Sequence, residues 1–76
     1  MEQFATRYYA KKVNNVLIYV LVMYSNWKEQ IIYTRKNTYN ADTGETTSIT
    51  TNLVENNIYI YDYFSELEKN GYKYIG

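Results

Sequence analysis

The side chains able to do chemistry in this 76-residue chain are tyrosines, carboxylates and cations, since it contains no His, no Cys and no Pro. Without thiols or imidazoles, the usual zinc sites and the Cys/His and Ser–His–Asp nucleophile systems have nothing to be built from. Acid–base work would fall to Asp, Glu, Lys and Tyr, and no H-x-x-E, G-x-S-x-G or G-x-x-x-x-G-K-[ST] context organises them. Asp42-Thr43-Gly44-Glu45 opens like a calcium loop but lacks the alternating ligands and distant bidentate Glu that such a loop needs. It reads as a solvated hairpin tip. The expectation is a non-catalytic protein with no metal and no cofactor.

The eleven tyrosines carry more information. A tyrosine packs like Phe yet keeps a hydroxyl that wants water or a partner, so it collects at half-buried surfaces and binding sites. Several stand beside cations: Arg7-Tyr8-Tyr9, Lys11-Lys12, Trp27-Lys28 and Tyr33-Thr34-Arg35-Lys36. A nucleobase with its phosphate calls for this pairing, a ring to stack on and a cation for the anion. Singly, each pair is what an alternating strand displays. Together they make Arg7, Tyr8, Tyr9, Lys11, Trp27, Lys28, Tyr33, Arg35 and Lys36 the candidate ligand-binding residues. A second candidate set is Leu17, Tyr19, Leu21 and Met23, one parity of a long apolar run and too apolar to stay wet. A second copy of the chain is the simplest cover, so a homo-oligomer is expected.

These residues must be held by a small framework. One domain, residues 1–76, is all this length allows, and a domain of this size buries only about 60% of its unfolded surface. Val16 to Tyr24 is β-branched and aromatic on both parities, as in a strand buried on both faces. Phe4, Ala5, Tyr8, Tyr9, Lys12 and Val13 fit a helix within residues 3–13, but Arg7 to Val13 also reads as the first arm of a hairpin; Asn14-Asn15 between two Val-flanked runs favours the strand. Lys28 to Tyr39 reads as the next strand. A tight turn at Ser25-Asn26 would set Tyr24 against Trp27, Val20 against Ile31 and Ile18 against Tyr33. Asn40 to Glu45 is the clearest turn, followed by a polar strand over Thr46 to Val54 and a short one over Ile58 to Tyr61. With Glu55-Asn56-Asn57 as the turn between them, Ile49 and Leu53 of one strand and Ile58 and Ile60 of the next fall on one face. Asp62 would cap a helix from Tyr63 to Asn70 with Phe64 and Leu67 as its buried stripe, and Gly71 would end it before a last strand, Tyr72 to Ile75. The fold class is α+β: an antiparallel meander of four to six strands with one C-terminal-half helix packed on it.

Net charge is zero, which argues against a generic DNA-coating protein. The charge is uneven, however: residues 1–36 hold six basic and two acidic side chains, residues 37–76 two and six. A dipolar molecule of this kind can receive an anion on its basic side. The longest apolar run is far short of the roughly 20 residues of a membrane helix, and the start lacks the form of a signal peptide. A cytoplasmic location and no membrane partner are expected. Abundant Asn, Ile, Lys and Tyr match AT-rich coding, as in low-GC bacteria, their phages and certain archaeal viruses.

The tail, Phe64-Ser65-Glu66-Leu67-Glu68-Lys69-Asn70-Gly71-Tyr72-Lys73-Tyr74-Ile75-Gly76, resembles the endings of small phage and bacterial proteins of unknown function, over about a sixth of the chain. In size, coding bias and lack of catalytic residues the whole chain resembles phage-encoded anti-defence proteins: anti-CRISPR proteins and the oligomeric sponges that sequester nucleotide immune signals. That resemblance implies stoichiometric inhibition of a host defence, within the host cytoplasm, and carries no site residues with it. The leading expectation is sequestration of a nucleotide-type signalling molecule by a homo-oligomer. The alternatives are an inhibitor that blocks a host defence protein through exposed Tyr and Trp27, and, less favoured, a single-stranded nucleic-acid binder.

Overall fold

Asn14 takes a positive φ of 55° and folds Phe4–Val13 (β1) back onto Val16–Ser25 (β2), with Val13 opposite Val16. The computed structural model describes residues 3–76. The N-terminal segment is therefore a strand, as the two-residue Asn turn requires. Gln30–Asn40 (β3) pairs with β2, and Thr46–Asn52 (β4) with β3, while Lys73–Tyr74 (β5) returns to the far side of β1. All pairings are antiparallel, in the order β4-β3-β2-β1-β5. Ile60–Lys69 (α1) lies on one side of this sheet, which is the expected α+β meander.

The core is the contact between that helix and the sheet. Ile60, Phe64 and Leu67, at i, i+4 and i+7, form the buried stripe of α1. They meet Tyr9 of β1, Val20 and Val22 of β2 and Ile31 of β3. Tyr9 is fully buried, stacked 5.8 Å from the Phe64 ring and edge-on to Tyr74 at 5.6 Å. Ile18, Tyr24, Leu53, Ile58, Tyr63 and Tyr72 pack around this centre.

The β2–β3 connection departs from the expected tight turn. It spans residues 26–29, with Glu29 at φ 52° and the Lys28 N–H donating to the buried Ser25 hydroxyl at 3.1 Å. Ser25 consequently pairs with Gln30 and Tyr24 with Ile31, so Trp27 lies in the turn rather than opposite Tyr24. A bulge then follows: Met23 pairs with Tyr33, skipping Ile32. Val20 faces Lys36 and Ile18 faces Thr38, not Ile31 and Tyr33. The bulge also reverses parity. Ile31 goes into the core, whereas Tyr33, Arg35 and Tyr39 turn to the side away from α1.

The helix begins earlier than the Asp62 cap predicted. Tyr59 is the N-cap residue, without a side-chain cap, and Asp62 lies in the first turn, where its charge favours the helix dipole. Ile58 to Tyr61 forms no strand: it contributes one bridge, Tyr59 to Gln30, before α1 starts at Ile60. Burial of Ile60 as a third stripe residue outweighs its β-branched preference. Strand β4 ends at Asn52, and a short 3-10 turn, Val54–Asn56, follows. Ile49 stays 61% exposed, so of the four residues expected on one face only Leu53, Ile58 and Ile60 reach the core.

The C-terminal end of α1 follows its sequence signals closely. Gly71 has φ 88°, its N–H donates to the Glu68 carbonyl and that of Tyr72 to Leu67, a Schellman arrangement. The chain then runs along β1, with hydrogen bonds between Tyr8 and both Ile75 and Gly76. No helix among the described residues is long and apolar enough to cross a membrane.

Candidate binding face

Strand alternation gives the sheet two unlike sides. One lies under α1. The other carries Phe4, Thr6, Tyr8, Ala10 and Lys12 from β1, Leu17, Tyr19, Leu21 and Met23 from β2, and Tyr33, Arg35, Asn37 and Tyr39 from β3. Strand register sets them in rows: Tyr8–Leu21–Arg35–Thr50 and Ala10–Tyr19–Asn37–Ser48 cross four strands each. Among the described residues no helix covers this side. Leu17, Leu21, Met23 and Tyr33 are half-buried by their neighbours, while Tyr8, Tyr19 and Tyr39 remain exposed.

The charge on this face has one sign. Lys12, Arg35 and Lys73 are its cations, and among the described residues no Asp or Glu occupies a strand position on it. The described acids lie in turns (Glu29, Asp42, Glu45, Glu55) or on α1 (Asp62, Glu66, Glu68). Arg35 is exposed, and its Nε donates to the Thr50 hydroxyl at 3.3 Å. Toward the β5 edge, Lys12 and Lys73 border a cleft of about 580 Å³ whose apolar lining includes Ala10, Leu17 and Ile75. Tyr19 pairs across from Ala10 beside it. Rings, an apolar floor and cations with no competing carboxylate suit a flat anionic ligand.

The structure divides the sequence-derived ligand set. Tyr8, Tyr33 and Arg35 come together on the open face with Leu17, Tyr19, Leu21 and Met23, so three of the nine ligand-set residues share a surface with the second set. Arg7, Tyr9, Lys11 and Lys36 fall on the helix side. Arg7 is engaged internally: its guanidinium lies 4.2 Å from the Phe64 ring centroid and 4.9 Å from that of Tyr74, and donates to the Tyr9 hydroxyl at 3.3 Å. The Tyr9 bond, partly opposed by burial, holds the Arg7 pKa above its ordinary value. Lys11 donates to the Asn70 carbonyl at 3.0 Å and lies 4.6 Å from the Tyr72 ring, closing the C-terminal end of α1. Trp27 and Lys28 stand apart in the β2–β3 turn, with Trp27 67% exposed.

Of the cations and tyrosines on the open face, Lys12, Tyr39 and Lys73 belonged to neither candidate set. Parity within β1 marks Lys12 with Tyr8. Nothing local marks Lys73, which joins the face only because β5 pairs with β1.

The hairpin tip is held by its own polar groups. Asn40 Oδ1 accepts from the Asp42 and Thr43 N–H groups, and Asn15 Nδ2 donates to Asp42 Oδ1 at 2.8 Å. Among the described residues no three metal-ligating side chains are gathered at one place. Comparison with protein-family profiles, curated protein sequences and solved structures finds no match to this chain.

Proposed function

We propose that this chain is a non-catalytic binding protein that sequesters a nucleotide-type molecule on its open sheet face, acting stoichiometrically as a homo-oligomer in the manner of phage proteins that blunt host defence. The observation that carries the reading is the segregation of that face: Tyr8, Tyr19, Tyr33 and Tyr39 with Lys12, Arg35 and Lys73, and no carboxylate in its strands. Stacking on a tyrosine ring supplies affinity for a base, and lysine or arginine supplies it for a phosphate. An overall charge of zero keeps the protein from coating nucleic acid generally. Titration calorimetry against a panel of cyclic and ADP-ribose-type nucleotides tests this. Saturable one-to-one binding per chain supports it, and heat from none of the panel overturns it. Affinity that rises with oligonucleotide length and falls steeply with salt would move the reading to single-stranded nucleic acid.

A second reading rests on Trp27. An indole 67% exposed at a turn, with a 56% exposed Phe4 paired to Ser25 at the base of that turn, has the form of an anchor for a host protein that the chain would block. A complex recovered from host extract by the wild type and lost with Trp27→Ala would favour this reading.

A further inference from the structure

Strand β4 forms one edge of the sheet, and no strand lies beyond it among the described residues. Its ladder with β3 fixes which backbone groups are spent. Leu53 N–H donates to the Ile32 carbonyl and Asn40 N–H to the Glu45 carbonyl, so the residues alternating between these points, Thr47, Ile49 and Thr51, point their N–H and C=O groups at β3. Thr46, Ser48, Thr50 and Asn52 therefore aim theirs outward. Edge strands in natural proteins are commonly guarded by charge, proline or a bulge. Thr46-Thr47-Ser48-Ile49-Thr50-Thr51-Asn52 has neither charge nor proline, pairs with β3 in unbroken register, and is exposed along its whole length. Its single apolar side chain, Ile49, stands at its centre and is 61% exposed.

We infer that β4 pairs antiparallel with β4 of a second copy, about a two-fold axis at Ile49. In that register Thr46 meets Asn52 and Ser48 meets Thr50. Every outward N–H and C=O in those four residues finds a partner. Ile49 falls in a non-hydrogen-bonded pair with its own copy, where opposed side chains approach most closely. Thr47 lies across from Thr51. A charged residue at the centre would meet itself across the axis, and this strand has none. The Lys36 side chains nearest the axis stay about three strand spacings apart, roughly 14 Å, beyond the screening length at physiological salt. The helix packs over Tyr9, Val20, Val22 and Ile31, so it does not overhang β4. The product is one continuous ten-stranded sheet. Directly paired antiparallel residues share a side, so both open faces lie on the same side of it and neither is covered.

The inference concerns a surface separate from the nucleotide-binding face and stands without it. Sedimentation of the full chain, with no nucleotide present, tests it over a concentration series. The wild type is expected at twice 9.1 kDa. Ile49→Lys, which sets two cations face to face, and Ser48→Pro, which removes an outward N–H while leaving the β3 ladder intact, are each expected at half the wild-type mass with unchanged circular dichroism. Because the chain has no Cys, Ile49→Cys should oxidise to a covalent dimer. Thr47→Cys should not, since four residues of register separate it from its copy by about 13 Å, too far for a disulfide. A wild type monomeric at every concentration, an assembly whose mass neither edge variant lowers, or an Ile49→Cys chain that fails to cross-link overturns the inference.

Discussion

The Arg7 guanidinium lies 4.2 Å from the centroid of the Phe64 ring, so a cation of β1 serves as packing for the buried stripe of α1. Its other flank meets Tyr74, at 4.9 Å, and it donates a hydrogen bond to the Tyr9 hydroxyl. This is an internal role. Arg7→Met keeps the stem and loses the cation–π contacts, and should destabilise the fold by about 1 kcal/mol. For a domain this small that lowers Tm by about 4–8 °C. Nucleotide affinity should not change. Thermal unfolding and calorimetry on the same variant check both halves; lost affinity at unchanged Tm would make Arg7 a ligand group instead.

The cations of the open face should behave the opposite way. Lys12→Ala combined with Lys73→Ala, and Arg35→Ala separately, should leave Tm within a few degrees because all three side chains are exposed. A lost charge-assisted bond to phosphate costs about 1.5–3 kcal/mol, so affinity for the best-bound nucleotide should fall at least about tenfold. Tyr19→Ala should remove a stacking ring at a comparable cost. Equal binding by all of these variants would move the ligand off this face.

Alkaline pH should loosen the fold through Tyr63 of α1 and Tyr72 just beyond it. Burial, partly opposed by a hydrogen bond with Thr34, holds the half-buried Tyr63 hydroxyl above its ordinary pKa of 10.0, and burial does the same to Tyr72. The folded state thus keeps these protons longer than the unfolded chain. Their contribution to stability is complete below about pH 10 and is lost as pH rises through the higher folded values. Urea midpoints measured upward from pH 8 should decline above about pH 10. Tyr63→Phe, which has no proton to lose, should flatten that decline. An unchanged slope would assign the alkaline loss to other groups.

Gly71→Ala isolates the cost of the helix stop. A Cβ there would meet only the Lys11 Cδ at 3.9 Å, an ordinary contact, so steric crowding does not enter. The backbone at φ 88° is the whole penalty. About 1 kcal/mol of destabilisation is expected in denaturant unfolding, and loss of the Lys11 bond to the Asn70 carbonyl should add little because that pair is exposed.

Signals contained within a few residues were legible in the chain itself. Asn14-Asn15, Asn70-Gly71 and the loop from Asn40 to Glu45 turn where their residue types demand, and the strand runs between them follow. Phe64 and Leu67 announced the helix, but Ile60 did not, because a β-branched residue after Ile58-Tyr59 reads as strand until its burial on α1 is known. The second apolar face of β2 was visible as Leu17, Tyr19, Leu21 and Met23. Which cations share that face was not visible, for adjacency in sequence sends neighbours such as Arg7 and Tyr8 to opposite sides of a strand.

By itself the sequence determined the chemistry that could be present: rings, cations and carboxylates without imidazole or thiol, divided into a basic and an acidic half. It determined the meander too, since turns and alternation are local properties. Tertiary structure decided the use made of those residues. The four-residue β2–β3 turn and the bulge between Met23 and Tyr24 sent Ile31 into the core and Tyr33 and Arg35 to the open face. Pairing of β5 with β1 brought Lys73 beside Lys12. Packing of α1 enclosed Tyr9 and engaged Arg7 through the Phe64 ring. Register and helix placement depend on contacts between distant segments, where burial of Ile31, Ile60 and Phe64 outweighs the small energies that local pattern reports.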